Sequence, residues 1–148
     1  MARSYRLGPA RRAGNVMMTA MIRLGIGGKG SYLLTTTGRK SGLRRTTPVM
    51  LVSEGGQRWL VAPYGRVGWV HNVRANPVIS IRRGGSSEEL RAVEVDADTA
   101  GPVLKRYVTG VPITAPYFDA RAEDPVGKFT AEAARHPVFR LSAPAGAG

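Results

Sequence analysis

The sequence predicts a mainly β protein, a small antiparallel barrel of about six strands with helices packed outside it. Three observations predict it. Short segments rich in β-branched and aromatic residues follow one another at hairpin spacing from Ser31 to Val95. Glycines punctuate them, at Gly38 to Gly42, Gly55-Gly56 and Gly84-Gly85. No regular helices alternate with these strands, as a parallel Rossmann sheet would require.

Each element can be justified in chain order. Residues 1 to 14 are basic and contain Gly8, Pro9 and Gly14, which make a loose lead-in. Asn15 suits an N-cap. Met17, Ala20, Met21 and Leu24 then recur at helical spacing, and the glycines from Gly25 to Gly30 end that short helix. Strands are expected at Ser31 to Thr37, Arg44 to Val52 and Arg58 to Ala62. Val67 to Ala75 reads as a short helix stopped by Asn76-Pro77. Val78 to Arg82 and Glu89 to Val95 read as two more strands. Thr99 to Val108 looks helical, with Gly101 and Pro102 marking a boundary at its start. A Pro-rich loop spans 109 to 125 and a helix 126 to 135. Val138 to Leu141 is a last strand, followed by an Ala/Gly tail from Ala143.

The 148 residues suit one domain with a real core, a single unit over 1–148 with a basic segment at 1–28. Absence of cysteine excludes a disulfide framework, a thiol nucleophile and a Cys-ligated metal. His71 and His136 show no metal-ligand spacing, so no metal is expected. No apolar run reaches the roughly 18 residues of a membrane span, and the chain is expected to be cytoplasmic.

The charge is uneven. Residues 1 to 45 hold ten Lys or Arg and no acid, whereas the remaining 103 hold twelve basic and ten acidic side chains, a net +2. The first third is therefore anion-seeking, and the candidate anions are nucleic acid, a lipid surface or an anionic cofactor. Nucleic acid is not expected, because no helix-turn-helix, zinc finger or aromatic RNA-binding strand signature accompanies the charge. The Met-rich helix with Arg11, Arg12 and Arg23 suggests peripheral contact with an anionic membrane. No G-x-S-x-G motif or Ser-His-Asp set points to hydrolysis.

Gly38-Arg39-Lys40-Ser41-Gly42 is the sharpest local feature. Its glycines let the backbone bend so that amides can converge on an anion; Arg39 and Lys40 add charge and Ser41 a hydroxyl. Arg44 and Arg45 point to opposite faces of the next strand, so one of them shares the loop's target. The alternative is a hairpin tip with solvated charges. Trp69 and Asn72 share a helix face, where Trp69 lines either a ligand or the core. His71 is either structural or ligand-facing. Tyr107, Tyr117 and Phe118 flank the Pro-rich loop and either close a pocket or fill the space beneath it.

Four segments together, "LLTTTGRKSGLRRTTPVMLV", "RWLVAPYG", "GWVHNVRANP" and "HPVFRLSAP", resemble the deazaflavin-dependent nitroreductase family of actinobacteria, from about residue 30 to 143. The resemblance implies a split β-barrel that binds reduced coenzyme F-420, an 8-hydroxy-5-deazaflavin with a phosphate and a glutamate tail. It implies that Arg39, Lys40, Ser41 and Arg45 hold the phosphate and tail. Thr46, Thr47, Pro48, Val49 and Met50 would run along the ring. Val61, Ala62, Pro63 and Tyr64, with Gly68, Trp69, Val70, His71 and Asn72, would complete the groove. Tyr117 is the expected substrate-side group or proton donor. The implied reaction is hydride transfer to a quinone, enone or nitroaromatic. The same architecture binds FMN, which is the alternative cofactor; a non-catalytic basic binding module is the alternative outside the enzyme class. A monomer and a homodimer both remain open. The sequence departs from the family in its short Tyr64–Gly68 loop and in Val70, where an aromatic is common.

Overall fold

The computed structural model describes residues 30–65 and 67–143. The elements are β1 (Ser31–Thr37), β2 (Arg44–Glu54), β3 (Gln57–Val61), α1 (Gly68–Ala75), β4 (Val78–Arg83), β5 (Ser86–Glu94), α2 (Ala97–Gly110), a 3-10 helix (Pro112–Tyr117), α3 (Val126–Glu132) and β6 (Val138–Ser142). The six strands close into one antiparallel barrel in the order β1-β2-β3-β6-β5-β4, with β4 returning to β1. The expected barrel with outside helices is what the chain forms. The expected N-terminal helix around Met17 to Leu24, and the tail beyond Ala143, lie outside the described residues.

Two cores follow from the alternation of the strands. One set of faces turns inward: Leu34, Leu51, Leu60, Ile81, Leu90, Phe139 and Leu141 fill the barrel, and Val70 and Val73 of α1 join them. The other faces of β2, β3 and β6 present Val52, Val61 and Val138 to α2, the 3-10 helix and α3, where Leu104, Tyr107, Phe118 and Phe129 are buried. A strand that is apolar on both faces needs two partners, and the helices supply the second.

The element boundaries differ from the sequence expectation where turn or cap chemistry overrides pattern. β2 runs to Glu54 because Glu54 pairs with Gln57 directly across Gly55-Gly56, whose φ angles of 57° and 81° suit a two-residue hairpin. β5 starts at Ser86, since Arg83 pairs with Ser86 across Gly84-Gly85. α2 begins upstream of Gly101-Pro102, at Ala97, because the Asp96 carboxylate accepts the Thr99 amide at 2.8 Å. Gly101 marks a close helix approach instead of a boundary: any Cβ there would collide with Thr130 of α3. Part of the Pro-rich loop winds into the 3-10 helix.

Candidate active site

The cationic turn lies between β1 and β2 and is shaped from within. The Gly38 amide donates to the Leu43 carbonyl at 2.7 Å, the Gly42 amide to the Gly38 carbonyl at 2.8 Å, and the Leu43 amide to Ser41 Oγ at 3.1 Å. Gly42 has φ of 72°, which favours glycine. The amides of Gly38, Arg39, Gly42 and Leu43 are thus engaged within the protein. What faces solvent is side-chain charge: Arg39, Lys40, Arg44 and Arg45 are all exposed.

α1 fastens this turn. Asn72 Oδ1 accepts both the Arg39 amide and Arg39 Nη1, each at 3.1 Å, while Asn72 Nδ2 donates to Thr36 Oγ1 at 3.2 Å. Asn72 is 6% exposed and Thr36 1%, so the Asn72–Thr36 bond is buried, while the two bonds to Arg39 are part-buried at the rim. Asn72 is thereby placed under the turn, with its side chain engaged by protein groups. Register sorts the two following arginines. Arg45 opposes the buried Thr36 and lies on the barrel-interior side, whereas Arg44 opposes Thr37 on the outer side. The divergence read from the strand period is present.

β2 continues as a wall of hydroxyl and apolar groups. Thr47, Pro48, Val49 and Met50 are half-buried and Thr46 is exposed. Thr46 Oγ1 and Thr35 Oγ1 share a hydrogen bond at 2.9 Å, and Ser31 Oγ donates to the Met50 sulfur at 2.9 Å. Val49 packs toward the barrel core and Met50 toward the helices. Val61, Ala62, Pro63 and Val70 are buried. Trp69 is half-buried and tilts against Phe139 with ring centroids 5.9 Å apart, on the barrel core. His71 is half-buried and Gly68 exposed on α1.

The segment Ala62 to Gly65 carries one member of a cluster of tyrosines. Tyr64, half-buried, meets the buried Tyr117 edge-on, with centroids 4.7 Å apart at 75°. Tyr107 lies beside them, and burial, with a smaller contribution from Tyr64, pushes its phenol pKa far up. Tyr107 therefore keeps its proton. Among the three, Tyr64 has the greatest access to solvent.

Three residues before β6 back this loop. The Ala62 amide donates to the Pro137 carbonyl at 2.9 Å. His136 Nδ1 lies 2.9 Å from the Pro63 carbonyl. Gly65, with φ of 85°, passes the Arg135 carbonyl so closely that a Cβ would sit 3.3 Å from it. His136 is buried, stacks on Phe118 with centroids 3.9 Å apart, and places Nε2 2.9 Å from Glu132 Oε1. The Glu132 carboxyl also accepts the Asp119 amide at 3.1 Å and the Ala120 amide at 2.7 Å. Sequence reading missed this centre. Its one signal was the four-residue spacing of Glu132 and His136, a helical-neighbour distance.

Comparison with known proteins fits this geometry. Residues 10–124 match the model of the family described as F420H(2)-dependent quinone reductase. The solved structure of the F420-H2 dependent reductase FDR-A is 28% identical, covers 77% of this chain and 95% of its own, and has a TM-score of 0.56. A second, described as a domain-swapped dimer, is 25% identical, covers 91% of this chain and all of its own (100%), and has a TM-score of 0.58. A putative pyridoxamine 5'-phosphate oxidase from Listeria innocua, 10% identical with a TM-score of 0.54, shares the fold over 86% of this chain and 90% of its own. The closed barrel, the cationic turn and the family match converge: this chain is an oxidoreductase that belongs to the F420H(2)-dependent quinone reductase family.

Proposed function

We propose that this chain transfers a hydride from reduced coenzyme F-420 to a small quinone, enone or nitroaromatic acceptor. When bound, the coenzyme supplies the hydride from C5 of its reduced ring. The observation that carries the reading is the Asn72 junction, which fixes a turn bearing exposed Arg39 and Lys40 against α1. Fixed cations at one rim suit a ligand with several negative charges, such as a phosphate with a glutamate tail. Arg39, Lys40 and Arg45 hold those charges, and Ser41 contributes a hydroxyl. Thr46 to Met50 orient the ring, and Val61 to Tyr64 with Gly68 to Asn72 exclude water around it. Tyr117 is the expected proton donor or substrate-side group, but it is buried against the more accessible Tyr64, so in this reading Tyr64 or a water it orders delivers the proton that accompanies the hydride, with Tyr117 positioning Tyr64.

The whole of 1–148 acts as one unit, with 1–28 dispensable for coenzyme binding and contributing contact with an anionic membrane. The domain-swapped relative favours a homodimer over a monomer. The test is an absorbance titration of purified protein with F-420 and with FMN, followed by turnover with a quinone, an enone and a nitroaromatic. Tight F-420 binding and acceptor-dependent oxidation of the reduced coenzyme are expected. Preferential FMN binding, or robust turnover with NADPH and no added coenzyme, would overturn the reading.

A further inference from the structure

Neutral imidazole carries one N–H, yet both ring nitrogens of His136 face acceptor oxygens: Nδ1 the Pro63 carbonyl and Nε2 Glu132 Oε1, each at 2.9 Å. Both contacts are satisfied only if one further proton lies between Nε2 and Oε1. His136 and Glu132 are each 4% exposed, and a pair with no net charge is the form that burial favours. We propose that His136 is a positioning residue for the acceptor wall: its Nδ1–H, oriented by Glu132 through that proton, holds the Pro63 carbonyl and so sets Tyr64 against Tyr117.

The inference rests on the assignment of Tyr64 and Tyr117 to the acceptor side. Three segments meet at this pair. Pro63 leads directly to Tyr64; the Asp119 and Ala120 amides, bound by Glu132, directly follow Tyr117 and Phe118; and Pro137 carries the chain into β6. A displaced imidazole would release both tyrosine-bearing segments together. The charged and titratable groups around it are Glu132, Arg135 (3.8 Å from Glu132 Oε1), Asp119 (2.8 Å from Arg135) and, next to Pro63, Tyr64. Burial draws the ring's pKa below its ordinary value, against the pull of Glu132, while Arg135 opposes a positive ring. Those influences favour the neutral ring, and the tautomer with its proton on Nδ1 is the one that serves the Pro63 carbonyl.

The chain has two histidines, so the ring nitrogens are readily assigned. In ¹⁵N spectra of the coenzyme-free protein, His71→Gln removes one set of signals and the remaining set belongs to His136. The expected result at neutral pH is a protonated Nδ1 and a hydrogen-bonded Nε2. An unprotonated Nδ1 would overturn the proposal, whatever the coenzyme chemistry proves to be. The second arm compares His136→Phe, which keeps the stack on Phe118, with His136→Asn, which loses the stack but keeps a donor near the Nδ1 position. Positioning predicts that the Phe variant raises acceptor KM about five- to ten-fold, more than it weakens F-420 binding, and that the Asn variant restores KM despite lower stability. If KM follows stability instead, His136 is merely structural and the proposal fails.

Discussion

The turn at residues 38–45 and the centre at Glu132–His136 both carry charge-bearing side chains, yet they use them in opposite ways. In the turn, the backbone amides close the loop and the cations face water. At Glu132–His136, each polar atom of the two side chains is directed at a protein partner and water is excluded. Exposed charge is cheap to hold and available to a ligand, but weakened by salt. Buried polar groups hold segments in register but are costly to leave unpaired. Under the proposed function, that difference suits the first region to coenzyme capture and the second to wall geometry.

The harshest way to break the comparison is Glu132→Ala. It strands the Asp119 and Ala120 amides and leaves His136 Nε2 without its partner. We expect a loss of about 3–5 kcal/mol in denaturant unfolding, since two amides and a ring nitrogen each lose a partner at about 1–3 kcal/mol. A loss under about 1 kcal/mol, in the range of exposed pairs, would mean that the centre is not dry.

Next in size is the loss of one turn cation. Arg39→Ala, Lys40→Ala and Arg45→Ala should each weaken F-420 binding about ten- to a hundred-fold, with little change in unfolding midpoint. The defect should shrink as salt rises, because screening acts over about 10 Å at about 0.1 M. The rate at saturating coenzyme should hold, since under the proposed function these groups hold the phosphate and tail and bind ground and transition states alike. Asn72→Ala joins the two regions' behaviours. It should cost about 1–3 kcal/mol of stability, because Thr36 and the Arg39 amide lose a buried partner, and it should also weaken coenzyme binding. Equal affinity for all four variants would return the turn to a solvated hairpin tip.

How much of this was legible in the sequence follows the same division. The barrel was readable because strand alternation and Gly-Gly turns are local signals, and the cationic turn because its residues are contiguous. Asn72 was picked out from its segment, but its bonds to Arg39 and Thr36 span 33 and 36 residues, which periodicity cannot disclose. The lack of ligand spacing at His136 speaks only against a metal. Its partners Pro63 and Phe118 come from other elements, so nothing beside it in the chain signalled its role. Gly101 was misread for the same reason, as its neighbour Thr130 lies on a different helix.

The smallest expected effect is the most useful control. Arg58 and Glu88 form a two-point ion pair, Nη1 and Nη2 reaching the carboxylate at 3.0 and 2.8 Å. It is an arginine site like the turn's, but partnered: its charge is already answered by the protein. The Arg58 hydrogen bond first, and its charge second, hold the Glu88 carboxyl below its ordinary value. That stabilisation is present above the unfolded carboxylate pKa and fades as pH falls below it. The side chains are 30% and 50% exposed, so solvent screens the pair and its contribution is at most about 1 kcal/mol. Glu88→Gln should move the unfolding midpoint slightly and leave F-420 affinity unchanged, although it raises the net charge by one as surely as a new lysine would. If the variant instead bound coenzyme more tightly, total charge would be the attractant, and the fixed geometry of the turn at Asn72 would not be needed to explain binding.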